Sequence, residues 1–159
     1  MTVTLQSPTA DQWSELEALW EASVRASHDF LPETDLQLIR PLLQSHYFAQ
    51  VELTCAVQNG RIVGFLGCAA DKVEMLFVDP ACFGQGIGQR LMRHAIDQLG
   101  ARLVDVNEQN PNALRFYQKM GFVVQHRSPL DGGGRPFPIL HLALPATAAR
   151  PAPPPPAPA

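Results

Sequence analysis

Apolar residues recur along this chain with two periods, and the change from one to the other outlines its elements. Trp13, Leu16, Leu19, Trp20, Ser23 and Val24 fall three and four apart, the spacing of one helix face. Thr9-Ala10-Asp11-Gln12 before them reads as a capping box. A second helical pattern starts at Pro32 and carries Leu36, Ile39, Leu42 and Leu43. Pro41 lies inside it and predicts a kink or a division there. Short extended runs are expected at residues 2–6, 51–58, 61–70 and 73–78, with Asn59-Gly60 as a two-residue hairpin turn. A helix over 87–99 puts Ile87, Leu91, Ala95 and Leu99 on one stripe. A strand over 103–106 follows. Then comes a helix opened by Asn110 and Pro111, with Ala113, Phe116, Tyr117 and Met120 on one face and Gly121 at its stop. Strands over 122–127 and 139–144 flank a loop that holds Gly132-Gly133-Gly134. No internal repeat is present.

Composition narrows the class. The 159 residues suit one domain with a sizeable core, expected over 1–144. From Pro145 to Ala159 seven of fifteen residues are proline and six alanine, with no apolar pattern, so a disordered tail is expected over 145–159. A net charge of −3 carries no basic surplus, so neither nucleic acid nor an anionic membrane is an expected partner. The start of the chain lacks the pattern of a signal peptide, no apolar run approaches a membrane span, and a cytoplasmic protein is expected. Cys55, Cys68 and Cys82 form no Cys-x-x-Cys pair and read as buried reduced thiols. His46, His94, His126 and His141 show no ligand spacing, so no metal is expected.

The chemistry concentrates in two segments. In the first, the apolar run ending at Val78 enters Asp79-Pro80-Ala81-Cys82-Phe83-Gly84-Gln85-Gly86-Ile87-Gly88-Gln89 and then a helix. Glycines permit close backbone approach and unusual dihedrals. A helix start offers unpaired N–H groups and the positive end of a dipole. Together they make an anion cradle. The spacing is neither a Walker loop nor Gly-x-Gly-x-x-Gly; the alternative is a tight turn that binds nothing.

The second segment is Asn107-Glu108-Gln109-Asn110-Pro111-Asn112-Ala113-Leu114-Arg115-Phe116-Tyr117-Gln118-Lys119-Met120-Gly121-Phe122. The two segments resemble motifs A and B of the GNAT superfamily of acyl-CoA N-acyltransferases. In motif B, Asn110, Ala113, Phe116, Tyr117, Lys119, Gly121 and Phe122 all match. In motif A, Phe83 stands where the family has Gln or Arg, so the cradle rests on backbone. Ser27-His28-Asp29-Phe30-Leu31, Val106 to Asn110, and the Arg127-Ser128, Asp131, Gly134, Pro136 and Pro138 pattern resemble a small single-domain bacterial branch of that family.

The resemblance implies an α/β fold: a central mixed, mostly antiparallel sheet of about seven strands with helices on both faces. It implies acetyl-CoA as co-substrate and direct transfer of the acetyl group to an amine in a ternary complex. The pyrophosphate would lie on Phe83, Gly84, Gln85, Gly86, Ile87, Gly88 and Gln89. The acyl-pantetheine arm would lie along Leu76, Phe77 and Val78, with Asn110 and Asn107 near it. Tyr117 is the implied general acid; a phenol suits protonation of an alkyl thiolate. Its alternative is core packing, as that of Asn110 is simple helix capping.

Two general bases compete. Glu74 shares a strand face with Leu76 and Val78 by period-two alternation. His28 ends the first helix, where an alternative is a C-terminal cation paired with Asp29. The acceptor is a protein lysine or a small amine such as an antibiotic or polyamine. A non-catalytic acyl-CoA sensor is the rival class. A monomer or homodimer is expected.

Overall fold

A computed structural model describes residues 2–28 and 30–145; residues 146–159 of the expected tail and the Asp29 pairing lie outside them. The chain forms two compact units, one ending at Val104 and one beginning at Asp105. The first holds β1 (Thr4–Gln6), α1 (Trp13–Ser27), α2 (Glu33–Leu42), β2 (Glu52–Gln58), β3 (Arg61–Ala69), β4 (Lys72–Val78) and α3 (Ile87–Gln98). The strand β5 (Leu103–Asn107) carries the chain into the second unit, which adds α4 (Pro111–Lys119), β6 (Val123–Ser128) and β7 (Ile139–Ala143). The seven strands follow the order β1-β2-β3-β4-β5-β7-β6. Neighbours pair antiparallel from β1 to β4 and between β6 and β7, while β4 and β5 run parallel. The expected mixed sheet of seven strands with helices is the observed one.

In the first unit, β3 shows why helices cover both faces. Phe65 and Ile62 join Leu16, Leu19, Trp20 and Val24 of α1, with Leu36, Leu43 and Phe48, in one buried cluster. Each such side chain taken from water contributes about 1.5–3 kcal/mol. Phe48 meets Phe65 edge-on at 5.9 Å and Trp13 at 5.6 Å. On the other face Gly64 lets α3 approach: a Cβ there would stand 3.0 Å from Ile87 Cγ2 and 3.2 Å from Leu91 Cδ1. The β2–β3 pairing slips by one residue at Val63. Its carbonyl accepts the Asp79 N–H at 2.9 Å, and the neighbouring Ile62 N–H donates to Glu15 Oε2 at 3.0 Å. The bulge therefore leaves neither of these backbone groups unpaired.

The sequence expectations need small corrections. The first strand begins at Thr4 rather than residue 2, and a 3₁₀ turn at Ala10–Gln12 precedes α1. The Gln12 side chain accepts the Thr9 N–H at 3.0 Å, as the capping box requires. Asn59 and Gly60 take positive φ of 54° and 75°, the turn that Asn-Gly favours. Pro41 sits in the last turn of α2, and the chain then widens into a π-helical turn, Leu43–Tyr47. Proline offers no N–H to the preceding turn, so regular α bonding fails there. Ser45 Oγ donates to the Pro41 carbonyl at 2.9 Å.

Charges clasp α1 to the segment after it. Arg25 donates to both oxygens of Glu33, at 2.7 and 3.0 Å, and to Glu21 at 3.0 Å. Arg40 reaches Glu21 at 2.7 Å and Glu17 at 3.4 Å. The Arg25 guanidinium holds the Glu33 carboxyl down at about 2, with the Gln37 amide adding to the effect.

In the second unit, Phe122 and Leu142 are almost fully buried, and Met120 and Leu144 are buried as well. Gly121 closes α4 at φ 104°. Glu108 and Arg127 pair through 2.5 and 3.1 Å contacts.

Candidate active site

The glycine segment does not run straight from strand to helix. Asp79 Oδ1 accepts the Ala81 N–H at 2.9 Å and opens a 3₁₀ turn, Pro80–Cys82. Cys82 is buried, so the loop leaves the core from a fixed point. Gly84 and Gly86 then take φ of 81° and 80°, and a Cβ on either would meet open space. Their glycine character is therefore set by backbone conformation, with room left above them. Gly86 caps α3, and its carbonyl accepts the Arg90 N–H at 3.0 Å. The first N–H groups of α3 have no partner within the helix and face this end. Gly84, Gln85, Gly86 and Gln89 are exposed and Gly88 is half-buried inside the first turn of α3. Ile87 is different: its side chain is buried against β3, so only its backbone can serve a ligand. An open, positive-φ glycine loop at a helix N-terminus fits a phosphate group.

β4 borders a cleft of about 300 Å3 within the first unit, lined by Trp20, Ile39, Leu43, Tyr47, Gln50, Val51, Glu74, Met75 and Phe77. Among the described residues Glu74 is the one charged residue in that lining. Its placement corrects the alternation argument. Gly67 pairs with Met75 but Cys68 with Val73, so Glu74 is the extra residue of a β-bulge. The bulge breaks the period of two, and Glu74 lines the cleft with Met75 and Phe77 rather than sharing a face set by Leu76 and Val78. Lys72 Nζ lies 3.6 Å from the Glu74 carboxylate, whose side chain is 40% exposed. An ion pair so exposed is weak and readily exchanged. Burial pushes the nearby Cys68 thiol up to about 11, with Glu52 and Glu74 adding to the rise.

His28, the other candidate base, is half-buried at the end of α1 and is absent from the cleft lining. Its Nδ1 lies 2.8 Å from Ser27 Oγ, and its ring stands 5.4 Å from that of Phe30. The Ser27 hydroxyl donates to the Ser23 carbonyl at 2.7 Å.

The second unit orders its candidates by local bonding. Asn110 is buried, and its Oδ1 accepts the Ala113 N–H at 3.2 Å as the N-cap of α4. Asn107 Oδ1 accepts the Gln109 N–H at 2.9 Å. Tyr117 is 8% exposed, and its ring meets those of Phe116 and Phe122 edge-on at 5.1 and 6.0 Å. The ring thus packs in the core while the residue keeps its motif position.

Sequence reasoning missed Trp20, Tyr47 and Gln50 as cleft residues. Tyr47 and Gln50 belong to the π and 3₁₀ turns that follow Pro41. The available signal was a proline late in a helix, followed by apolar residues at Leu43, Tyr47 and Val51 spaced by four.

Residues 45–124 match the model of the acetyltransferase (GNAT) domain. The peptidyl-lysine N-acetyltransferase YjaB of Salmonella typhimurium is 36% identical, over 91% of this chain and 100% of that protein. The solution structure of apo YjaB from Escherichia coli is similar with a TM-score of 0.83 at 35% identity, covering 91% of this chain and 98% of that one. A PaiA N-acetyltransferase from Thermoplasma acidophilum, solved with coenzyme A, shares the fold at 20% identity and a TM-score of 0.70, over 89% and 98% of the two chains.

Proposed function

The chain belongs to the GNAT acetyltransferase family, and from that premise we propose that it moves the acetyl group of acetyl-CoA to the side-chain amine of a protein lysine. Acetyl-CoA-dependent N-acetylation is the activity of the family, and the named N-acetyltransferase relatives set aside the sensor reading. The acceptor rests on one observation above all: the cleft beside β4 has aromatic and aliphatic walls and, among the described residues, a single carboxylate, Glu74. A lysine side chain is an apolar stem with one ammonium, and matches that lining. A polyamine or an aminoglycoside carries several ammonium groups and would leave all but one without a counter-charge in the cleft. The YjaB relatives are named as peptidyl-lysine N-acetyltransferases, which agrees.

Acetyl-CoA supplies the activated acetyl group. In this reading the backbone of Gly84, Gly86 and the start of α3 holds the phosphates, and the backbone of Leu76, Phe77 and Val78 holds the acyl arm. Gln85 and Gln89 flank the cradle, and Asn110 and Asn107 are assigned to the pantetheine. Glu74 takes the proton that the ammonium must lose before its nitrogen can attack, directly or through one water. Its place in the cleft lining favours it over His28. The Tyr117 hydroxyl is assigned as proton donor to the departing sulfur.

The test is thiol release from acetyl-CoA with a panel of lysine peptides, spermidine and an aminoglycoside. The lysine peptides should give the highest kcat/KM. A multiply charged amine outrunning every peptide would overturn the acceptor assignment and leave the family activity standing.

A further inference from the structure

Among the described Phe, Tyr and Trp side chains Phe83 is the one that is exposed, with 49% of its surface in water. Every other described Phe, Tyr and Trp is buried or half-buried. The ring is not on a loose loop. The Phe83 N–H donates to the Pro80 carbonyl at 3.3 Å, Cys82 before it is buried, and Ile87 four residues on is locked into the core. The open loop carrying Gly84 and Gly86 begins at its carbonyl. This site therefore presents an exposed apolar ring, on a pinned backbone, beside a backbone cradle suited to phosphate.

A large apolar ring held in water is unfavourable by itself. It becomes favourable when a flat apolar surface covers it. The donor reading given above supplies one, because the phosphates of acetyl-CoA are attached to an adenosine. We propose that Phe83 is the stacking platform for the adenine base of acetyl-CoA. Dispersion and base–aromatic stacking there replace the charge or hydrogen bond that a polar side chain at this position would give to the phosphates. The proposal rests on the donor reading and extends it. It divides cofactor affinity between two halves of the ligand. The cradle holds the phosphates through backbone and is indifferent to residue 83, whereas the nucleotide half depends on the ring.

Calorimetry with the full chain separates these halves. The ligands are acetyl-CoA, adenosine 3′,5′-bisphosphate, which carries the base without the pantetheine arm, and 4′-phosphopantetheine, which carries the arm without the base. Phe83→Ala should weaken acetyl-CoA and the bisphosphate by about five- to a hundred-fold, the range measured for removing a base–aromatic stack. Affinity for phosphopantetheine should not change. Phe83→Trp should retain adenine binding. Phe83→Gln should lose the stack and weaken the bisphosphate as Phe83→Ala does. Equal loss of both half-ligands in Phe83→Ala, or no loss of either, would overturn the proposal. The donor reading fails separately, if the unsubstituted protein neither binds acetyl-CoA nor releases its thiol. All variants alter an exposed side chain, and their circular dichroism should match the parent.

Discussion

At the scale of single residues, Glu74 and Tyr117, the proposed base and acid, sit in opposite settings. Glu74 is half in water at the cleft, paired weakly with Lys72. Glu74→Gln keeps the shape and removes the base, so the acidic limb of the kcat/KM profile should vanish and the rate should fall by about 10²–10⁴-fold. His28→Ala should keep that limb; the reverse result would transfer the role to His28. Tyr117 is packed between Phe116 and Phe122. Tyr117→Phe preserves that packing, so acetyl-CoA affinity should hold while turnover falls by about ten- to a thousand-fold. Turnover equal to the parent's would leave the ring a core residue only. The cysteines give a negative control for nucleophilic chemistry. Cys68 is buried with its thiol pushed up to about 11, and Cys55 is raised by burial as well. Neither should react with a thiol reagent near neutral pH before unfolding, because the thiolate is the reactive form.

At the scale of elements, the contacts that set the site are those between helices and sheet. Gly64 shows how tight one of them is. A methyl group there would stand 3.0 Å from Ile87 Cγ2, 3.2 Å from Leu91 Cδ1 and 3.3 Å from the Phe77 carbonyl oxygen. Gly64→Ala must push α3 or β4, and should cost about 1–3 kcal/mol in a urea titration. It should also weaken acetyl-CoA binding, since α3 begins at the glycine cradle. Much of this element scale could be read in advance. The stripe through Ile87, Leu91 and Ala95, the Asn59-Gly60 turn and the Asn110 cap are local signals, each satisfied within a few residues. The bulge at Glu74 could not be read. It is a mismatch of register between two strands, visible only when Gly67 and Cys68 find their partners. The π turn after Pro41 is intermediate: proline forbids the regular bond, but only packing around Leu43 and Phe48 selects what replaces it.

At the scale of the whole molecule, acid stability follows the ion pairs. Arg25 holds the Glu33 carboxyl down at about 2 against an ordinary value of 4.5, and Glu21 and Glu108 are lowered by Arg25 and Arg127. A lowered carboxyl contributes stability above its unfolded value, and the contribution is lost as pH falls through the folded one. Arg25→Met should therefore lower the melting temperature slightly at neutral pH. The gap to the parent should narrow from pH 4.5 downward and close near pH 2. Because the pairs are exposed, salt should shrink it too. Removing residues 145–159 takes away no patterned apolar residue, so the thermal midpoint should not move. By itself the sequence determined the elements, the two motif segments and the family, because helix periodicity, turn chemistry and glycine spacing act over a few neighbouring residues. It also singled out Tyr117 and the glycine loop as candidates, since each lies inside one short motif. Which of the two candidate bases lines the cleft was decided only by the tertiary structure. Strand register turns Glu74 into the cleft, and Trp20, Tyr47 and Phe77 reach the same cavity from three segments far apart in the chain. Their meeting depends on long-range packing free energy, to which no local pattern gives access.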